Sequence, residues 1–172
     1  MATRSLAIHA APFAMGRPPG FQELYQQQSE TVYRTALRIT GNPADAEDVL
    51  QTVFLRILIQ QERCELSSAS AAYFRRAATN ASIDVLRRRM ARAETPLDDI
   101  PSQATRESSP LLKLRLRQAI GRLDTEDAEL FLLKYVEGLS VAELAEQFGI
   151  GMGTVGSRLF RIREILKQVI EG

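Results

Sequence analysis

Apolar residues recur every three or four positions along most of this chain, the spacing typical of amphipathic helices. The first pattern predicts a helix over 21–40, closed by Gly41. A second helix is expected from Pro43 to about position 58, with Asn42 as a favourable N-cap. After a polar loop over 60–70, a third is expected over 71–90. Their expected buried positions include Phe21, Leu24, Tyr25, Val32, Ala36, Leu37, Ala46, Val49, Leu50, Val53, Phe54, Ile57, Leu58, Phe74, Ala77, Ala78, Ala81 and Val85.

Two shorter helices, expected over 111–123 and 126–137, lead into a stretch from Gly138 to Lys167 whose pattern predicts a helix-turn-helix. Ser140 and Glu143 have the spacing of a capping box, in which each side chain bonds the backbone amide of the other residue. Gly149 stands where a helix end favours positive φ. The expected buried residues of the first helix are Val141, Leu144, Ala145 and Phe148.

The second helix of this motif, starting between Gly151 and Thr154, is also amphipathic. Its buried sector is expected to hold Val155, Leu159, Ile162 and Leu166. Its opposite sector carries Gly153, Ser157, Phe160, Arg161 and Glu164, with Arg158 and Arg163 on the flanks. Arginine and exposed apolar groups suit a DNA major groove, where they meet guanine edges and thymine methyls. A plain helical hairpin with solvated arginines is the alternative that the pattern leaves open.

The segments outside these helices divide the chain. Residues 1–20 are expected to form a disordered extension, and translation from Met15 is an alternative start. The segment 93–110 carries three prolines, several serines and no periodicity, which indicates a linker. We therefore predict an all-α protein with one domain over 21–92 and another over 111–172.

Composition excludes several classes of protein. The chain has 172 residues and no run near the roughly 20 apolar residues that a membrane helix needs. One Cys and one His provide no ligand set for a zinc site, and no other metal or cofactor site is expected. They also provide poor catalytic material, so we do not expect an enzyme. Cys64 cannot form a disulfide within one chain, which fits a cytoplasmic protein.

The formal net charge is only +1, yet the charges are unevenly placed. Residues 71–92 contain six arginines against Asp84 alone, whereas acids outnumber bases over 94–129. Free-standing DNA-binding proteins usually carry a strong basic excess, since neutralising phosphates supplies most of their non-specific affinity. This balance indicates a protein that meets DNA with help from a partner.

Three blocks together resemble the extracytoplasmic-function (group 4) sigma factors of bacterial RNA polymerase, in the sigma-70 family. GNPADAEDVLQTVFLRI resembles the family's region 2.1–2.2, and YFRRAATNASIDVLRRR its region 2.3–2.4. LDTEDAELFLLKYVEGLSVAELAEQFGIGMGTVGSRLFRIREIL is similar to region 4. The resemblance implies a subunit that binds core RNA polymerase and directs promoter recognition, melting and initiation. It also implies an anti-sigma factor as a further partner.

The resemblance implies a role for each of several residues. It assigns polymerase docking to Asp45, Asp48, Gln51 and Leu55. The loop before the third helix, with Asn80 and Tyr73, would open and read the minus-10 element, while nearby arginines hold phosphates, namely Arg75, Arg76, Arg87 and Arg88. The helix from Thr154 would read the minus-35 element, and its DNA-binding residues are Thr154, Ser157, Arg158, Phe160 and Arg161.

The chain departs from the family pattern at a few positions. Tyr73 stands where Trp is usual, and Thr52 replaces a common acid. Gly156 replaces a usual Lys or Arg, which leaves the minus-35 preference open. A two-domain regulator with a C-terminal helix-turn-helix is the alternative function, although such regulators usually carry a sensor with strands. A small helical enzyme is a third, weaker hypothesis.

Overall fold

The computed structural model describes residues 20–60, 71–93 and 110–171, all but a few of which are helical. Its helices are α1 (Phe21–Thr40), α2 (Pro43–Gln60), α3 (Ala71–Ala93), α4 (Pro110–Arg122), α5 (Thr125–Tyr135), α6 (Val141–Phe148) and α7 (Met152–Glu171). No strand occurs within these ranges, so the predicted all-α class is confirmed. The expected N-terminal extension, linker and Cys64 lie outside the described residues, apart from the positions that border the helices.

The internal contacts divide the chain into two compact units, Met1–Ala81 and Ser82–Gly172. The division falls inside α3, so the C-terminal half of that helix groups with the second unit. The domain bounds expected from the sequence, 21–92 and 111–172, therefore stay a prediction.

In the first unit, α1 and α2 pack as an antiparallel pair joined by a two-residue turn. Gly41 has a φ of 68°, and the Asn42 side-chain oxygen accepts the Ala44 amide at 2.9 Å, which confirms the expected end and cap. Phe54 is the centre of an aromatic cluster, with ring centroids 4.7 Å from Tyr25, 6.0 Å from Phe21 and 5.7 Å from Phe74. Such pairs stabilise the core beyond the area that they bury.

In the second unit, α7 contacts α4, α5 and α6. Its buried residues are Val155, Leu159, Ile162 and Leu166, the sector expected from the sequence. Leu144 is the buried residue of α6, whereas Val141, Ala145 and Phe148 are only half-buried. The short helix α6 thus depends on one deeply buried leucine and on its two caps.

Both caps of α6 follow the sequence prediction. The Ser140 hydroxyl accepts the Glu143 amide at 3.2 Å, and the Glu143 carboxylate accepts the Ser140 amide at 2.7 Å. Gly149 has a φ of 63°, and the Ile150 amide donates to the Ala145 carbonyl at 3.1 Å. The capping box fixes the start of α6, and the bonds at Gly149 and Ile150 fix the turn between α6 and α7.

Within the described ranges, no helix is both long enough and apolar enough to cross a bilayer. The same ranges contain no group of three or more His, Cys, Asp and Glu side chains placed to hold a metal ion.

Candidate nucleic-acid interface

Residues of α2 and α3 line a cleft of about 380 Å³ in the first unit. This volume lies within the roughly 300–1,000 Å³ usual for small-ligand sites. The lining residues fall on one stripe of each helix, at spacings of three, four and seven, and they are Val53, Arg56, Gln60, Tyr73, Arg76, Ala77 and Asn80. The cleft therefore combines an aromatic ring, two guanidinium groups and two amides.

Asn80 lies in the wall of this cleft on α3, not in the loop to which the sequence analysis assigned it. Tyr73 lies two turns earlier on the same helix. The Asn80 side-chain oxygen is buried and forms no hydrogen bond with any described residue. A buried acceptor without a partner is costly, so the Asn80 amide has hydrogen-bonding capacity that the described residues do not use.

The Tyr73 ring is 40% exposed and packs edge-on against Phe74 at 5.5 Å. Its hydroxyl donates to the Gln60 side-chain oxygen across the cleft, at 3.4 Å. The two contacts fix an aromatic face at the mouth of the cleft, where a planar base could stack.

The arginines expected to hold phosphates occupy different environments. Arg75 is exposed and Arg76 lines the cleft. Arg88 is exposed. Arg87 differs, because its guanidinium donates to the Gly121 carbonyl at 3.2 Å, the Leu123 carbonyl at 2.8 Å and the Thr125 hydroxyl at 3.0 Å. All three Arg87 nitrogens thus bond the turn between α4 and α5 in this structure.

The residues expected to dock on a partner all lie on α2. Asp48 and Leu55 are exposed, while Asp45 and Gln51 are half-buried. Asp48, Gln51 and Leu55 face away from the stripe that lines the cleft, whereas Asp45 projects close to that stripe, three turns before Arg56.

In the second unit, α7 presents a continuous exposed surface. Thr154 and Ser157 are exposed, and Phe160 has 60% of its surface accessible. The Arg161 side chain is 64% exposed. An exposed phenyl ring beside a guanidinium and hydroxyls gives α7 the apolar, donor and acceptor groups that groove recognition uses.

Arg158 does not join this surface. Its side chain is only 20% exposed, and its Nη2 lies 2.6 Å from the Asp127 carboxylate. On the helical wheel, position 158 borders the buried sector of α7, so the side chain turns toward α5. Burial alone lowers the pKa of Arg158, but hydrogen bonds and the charges of Asp127 and Glu126 outweigh it and raise that pKa.

Two sets of residues escaped the sequence analysis. Arg56 and Gln60 were not expected in the cleft, although their spacing from Val53 places all three on one stripe of α2. Asp127 and Glu126 were not expected beside α7. Helical spacing could have placed Arg56 and Gln60 beside Val53. The contact of Asp127 and Glu126 with Arg158 joins positions about 30 residues apart, so no local pattern in the sequence indicates it.

Comparison with known proteins gives two matches to family models in chain order. A model described as "Sigma-70 region 2" matches residues 24–92, and one described as "Sigma-70, region 4" matches residues 113–166. The first covers all the cleft residues, and the second covers the helix-turn-helix.

The similar proteins of known name are also sigma factors. The ECF RNA polymerase sigma factor SigL of Mycobacterium tuberculosis is 33% identical over 144 residues, which cover 79% of this chain and 80% of SigL. SigE of Mycolicibacterium smegmatis is 31% identical over 160 residues, 88% of this chain, but the chain spans only 62% of SigE. The sigma factor RpoE of Bartonella quintana, solved with the anti-sigma factor NepR, has a similar fold, with a TM-score of 0.50 at 19% identity over 90% of this chain and 98% of RpoE.

Proposed function

The chain belongs to the extracytoplasmic-function sigma factors of RNA polymerase, and on that premise we propose that it binds core RNA polymerase and directs it to promoters. The observation that carries this proposal is the presence of both sigma modules, in order, in one chain with an exposed α7 surface. In this role the polymerase supplies the chemistry, so the protein acts as a cytoplasmic binding subunit without a catalytic centre of its own.

We propose that the cleft between α2 and α3 receives a base of the melted minus-10 element. Stacking on the Tyr73 ring suits any base, because every base has an apolar face. The unbonded Asn80 oxygen can then accept a hydrogen bond from a base edge, while the Asn80 nitrogen donates one. Arg56 and Arg76 supply positive charge for the strand that carries this base.

We propose that α7 lies in the major groove of the minus-35 element. Arg161 can donate to guanine, and Phe160 can contact a thymine methyl. Exposure of Thr154, Ser157, Phe160 and Arg161 along one helix supports this orientation. Gly156 also lies on the exposed side, so it contributes close backbone approach in place of a cation.

The proposed docking surface for polymerase comprises Asp45, Asp48, Gln51 and Leu55 on α2. Asp48, Gln51 and Leu55 face away from the cleft residues, so polymerase and DNA can be bound together. An exposed leucine two turns from an exposed acid, Asp48, is suited to a partner that offers apolar and basic groups. We further propose that an anti-sigma factor competes for these surfaces in the resting cell.

We propose that residues 21–92 and 111–172 are the two functional modules. The family matches over 24–92 and 113–166 support these bounds. Each module then meets one promoter element, and the segment 93–110 connects them.

Run-off transcription with core polymerase tests the proposal. Adding the protein should produce transcripts with defined starts on a subset of templates, whereas core polymerase alone should not. Asp48→Arg should abolish both polymerase binding and transcription, while the matched control Glu23→Arg, at an exposed acid of α1, should preserve both. Polymerase binding without any start-site selection would contradict the proposed function.

A further inference from the structure

The buried carboxylate of Asp127, on α5, contacts two arginines of α7, Arg158 and Arg161. Asp127 lies in the first turn of α5 and is only 4% exposed. Its Oδ1 accepts from Arg158 Nε at 2.9 Å and from Arg158 Nη2 at 2.6 Å. Glu126 Oε2 accepts from Nη1 and Nη2 of the same guanidinium, both at 3.3 Å. The side chain of Arg158 is therefore bound on all three nitrogens.

These contacts give Arg158 a role inside the unit. Moving its guanidinium to a DNA phosphate would leave Asp127 as a buried charge without its partner, which is strongly unfavourable. An Arg–carboxylate pair with two short bonds also fixes the direction of both side chains. Arg158 thus anchors α7 to the first turn of α5.

The second oxygen of Asp127 faces the exposed arginine one turn further along α7. Asp127 Oδ2 lies 3.5 Å from Arg161 Nη2. This distance is at the long limit of a hydrogen bond, and the Arg161 side chain is 64% exposed. The contact therefore limits the orientations of Arg161 while leaving most of its donors accessible.

We propose that Asp127 is a positioning residue for base recognition: fixed by Arg158, it pre-orients Arg161 toward the DNA groove without touching DNA itself. Pre-orientation lowers the entropy cost of fixing a long side chain on binding. Arg158 also neutralises the carboxylate, so Asp127 does not repel the phosphates nearby. This inference rests on the proposed function of α7 in minus-35 recognition.

The test uses polymerase holoenzyme assembled with each variant and a panel of single-base changes in the minus-35 element. Arg161→Ala should reduce discrimination by roughly 5- to 150-fold at one or two positions, the range for loss of one arginine–base pair. Asp127→Asn should reduce discrimination at those same positions, by a smaller factor, and should cause no further loss in the Arg161→Ala background. Asp127→Asn should not lower binding to the variants that differ at other positions.

A purely structural role for Asp127 gives a different result. Weakened folding would lower binding equally at every base variant and would still do so when Arg161 is absent. Either that pattern or unchanged discrimination in Asp127→Asn would overturn the inference. If wild-type holoenzyme itself shows no discrimination across the panel, the proposed function fails, and the inference fails with it.

The salt dependence of binding separates Arg158 from a phosphate ligand. Since Arg158→Ala alone can unfold the unit, we choose the double variant Asp127→Asn with Arg158→Gln, which replaces the ion pair by two amides that can still hydrogen-bond. The slope of log K against log salt should match that of the wild-type protein, in which the ion pair is intact and the net charge is the same. A slope smaller by about 1 would show that Arg158 binds a phosphate and would overturn its assignment as an anchor.

Discussion

At the scale of single residues, Asn80 is the sharpest test of the cleft. Asn80→Ala removes a donor and an acceptor that meet DNA only after melting, so open-complex formation should fall by roughly 5- to 150-fold, as for loss of one side chain–base pair. Binding to core polymerase should be unchanged, because the docking face of α2 is separate. Fluorescence of a base analogue in the minus-10 element measures opening, and a pull-down measures assembly.

The control for this change is Ala77→Ser, in the same cleft wall but without an amide. It should leave opening within a factor of about two. If Asn80→Ala opens promoters normally, the unbonded oxygen has no part in base capture and the cleft needs another assignment.

Residue-level expectations were met where the cause is local. The Asn42 cap, the Ser140–Glu143 box and the positive φ of Gly149 each depend on neighbours within four positions, and all were predicted. The environments of Arg87 and Arg158 were not predicted. Their partners lie more than 30 residues away and are brought near only by helix packing. A helical wheel gives the direction of such a side chain, but not what it meets.

At the scale of helices, two glycines near one turn should respond oppositely to alanine. Gly156 has open space around its Cα and no positive φ, so Gly156→Ala should stabilise the second unit by about 0.5–1 kcal/mol. Gly149 has a φ of +63°, so Gly149→Ala should destabilise it by about 1–2 kcal/mol. Urea unfolding followed by circular dichroism gives both free energies of unfolding. Equal effects of the two changes would mean that backbone conformation does not govern this turn.

The start of α5 predicts a dependence on pH. The Asp124 carboxylate accepts the Asp127 amide at 2.9 Å, and this backbone hydrogen bond is the main cause that lowers the pKa of Asp124 below its ordinary value of 3.8. A lowered pKa means that the ionised cap stabilises the fold above about pH 3.8 and that this contribution disappears as pH falls through the folded-state pKa. Asp124→Ala should cost about 1 kcal/mol at pH 7 and less at pH 3.

The matched control for the cap is Asp124→Asn, which keeps an acceptor but cannot ionise. Because Asn can still accept the Asp127 amide, the free energies of unfolding of Asp124→Asn and wild type should differ only through the charge of the cap. This difference should shrink as the pH falls and Asp124 becomes protonated. If the difference in free energy of unfolding between Asp124→Asn and wild type grew as the pH fell, the charge of Asp124 would not have the stabilising role given to it.

Helix positions were largely predictable because periodicity and caps act together. The bounds of α1 were predicted without error, and α4 and α5 differ from expectation by one or two residues at each end. The third helix extends to Ala93, three residues beyond the predicted end. The stop signal is Pro96, three residues after Ala93, so the sequence placed the end of this helix only to within a turn.

At the scale of the whole molecule, two proposed recognition surfaces share a chain with little net charge. The cleft lies in the first unit and the exposed face of α7 in the second. The pattern of apolar and polar residues predicted the helices of both units. The two surfaces were expected from the resemblance to sigma factors. The division between units, inside α3, was not predicted, because a single continuous helix shows no change of pattern where its packing partners change.

The small net charge of the chain leads us to expect that the protein without polymerase binds DNA weakly. With a formal charge of +1, it can neutralise few phosphates, and non-specific affinity depends on that neutralisation. We expect the isolated chain to bind promoter duplex no more than a few-fold better than a scrambled duplex at physiological salt. Specific binding should appear only after addition of core polymerase, whose own contacts add affinity and whose opening of the duplex exposes the minus-10 base.

Fluorescence anisotropy with labelled promoter and scrambled duplexes, with and without core polymerase, measures both states. Core polymerase alone is the control, and it should show equal affinity for the two duplexes. Tight and selective binding by the free chain would instead favour a regulator that acts without being a polymerase subunit. Because Asp48→Arg should block assembly, it should also abolish the gain in selectivity while leaving the weak binding of the free chain in place.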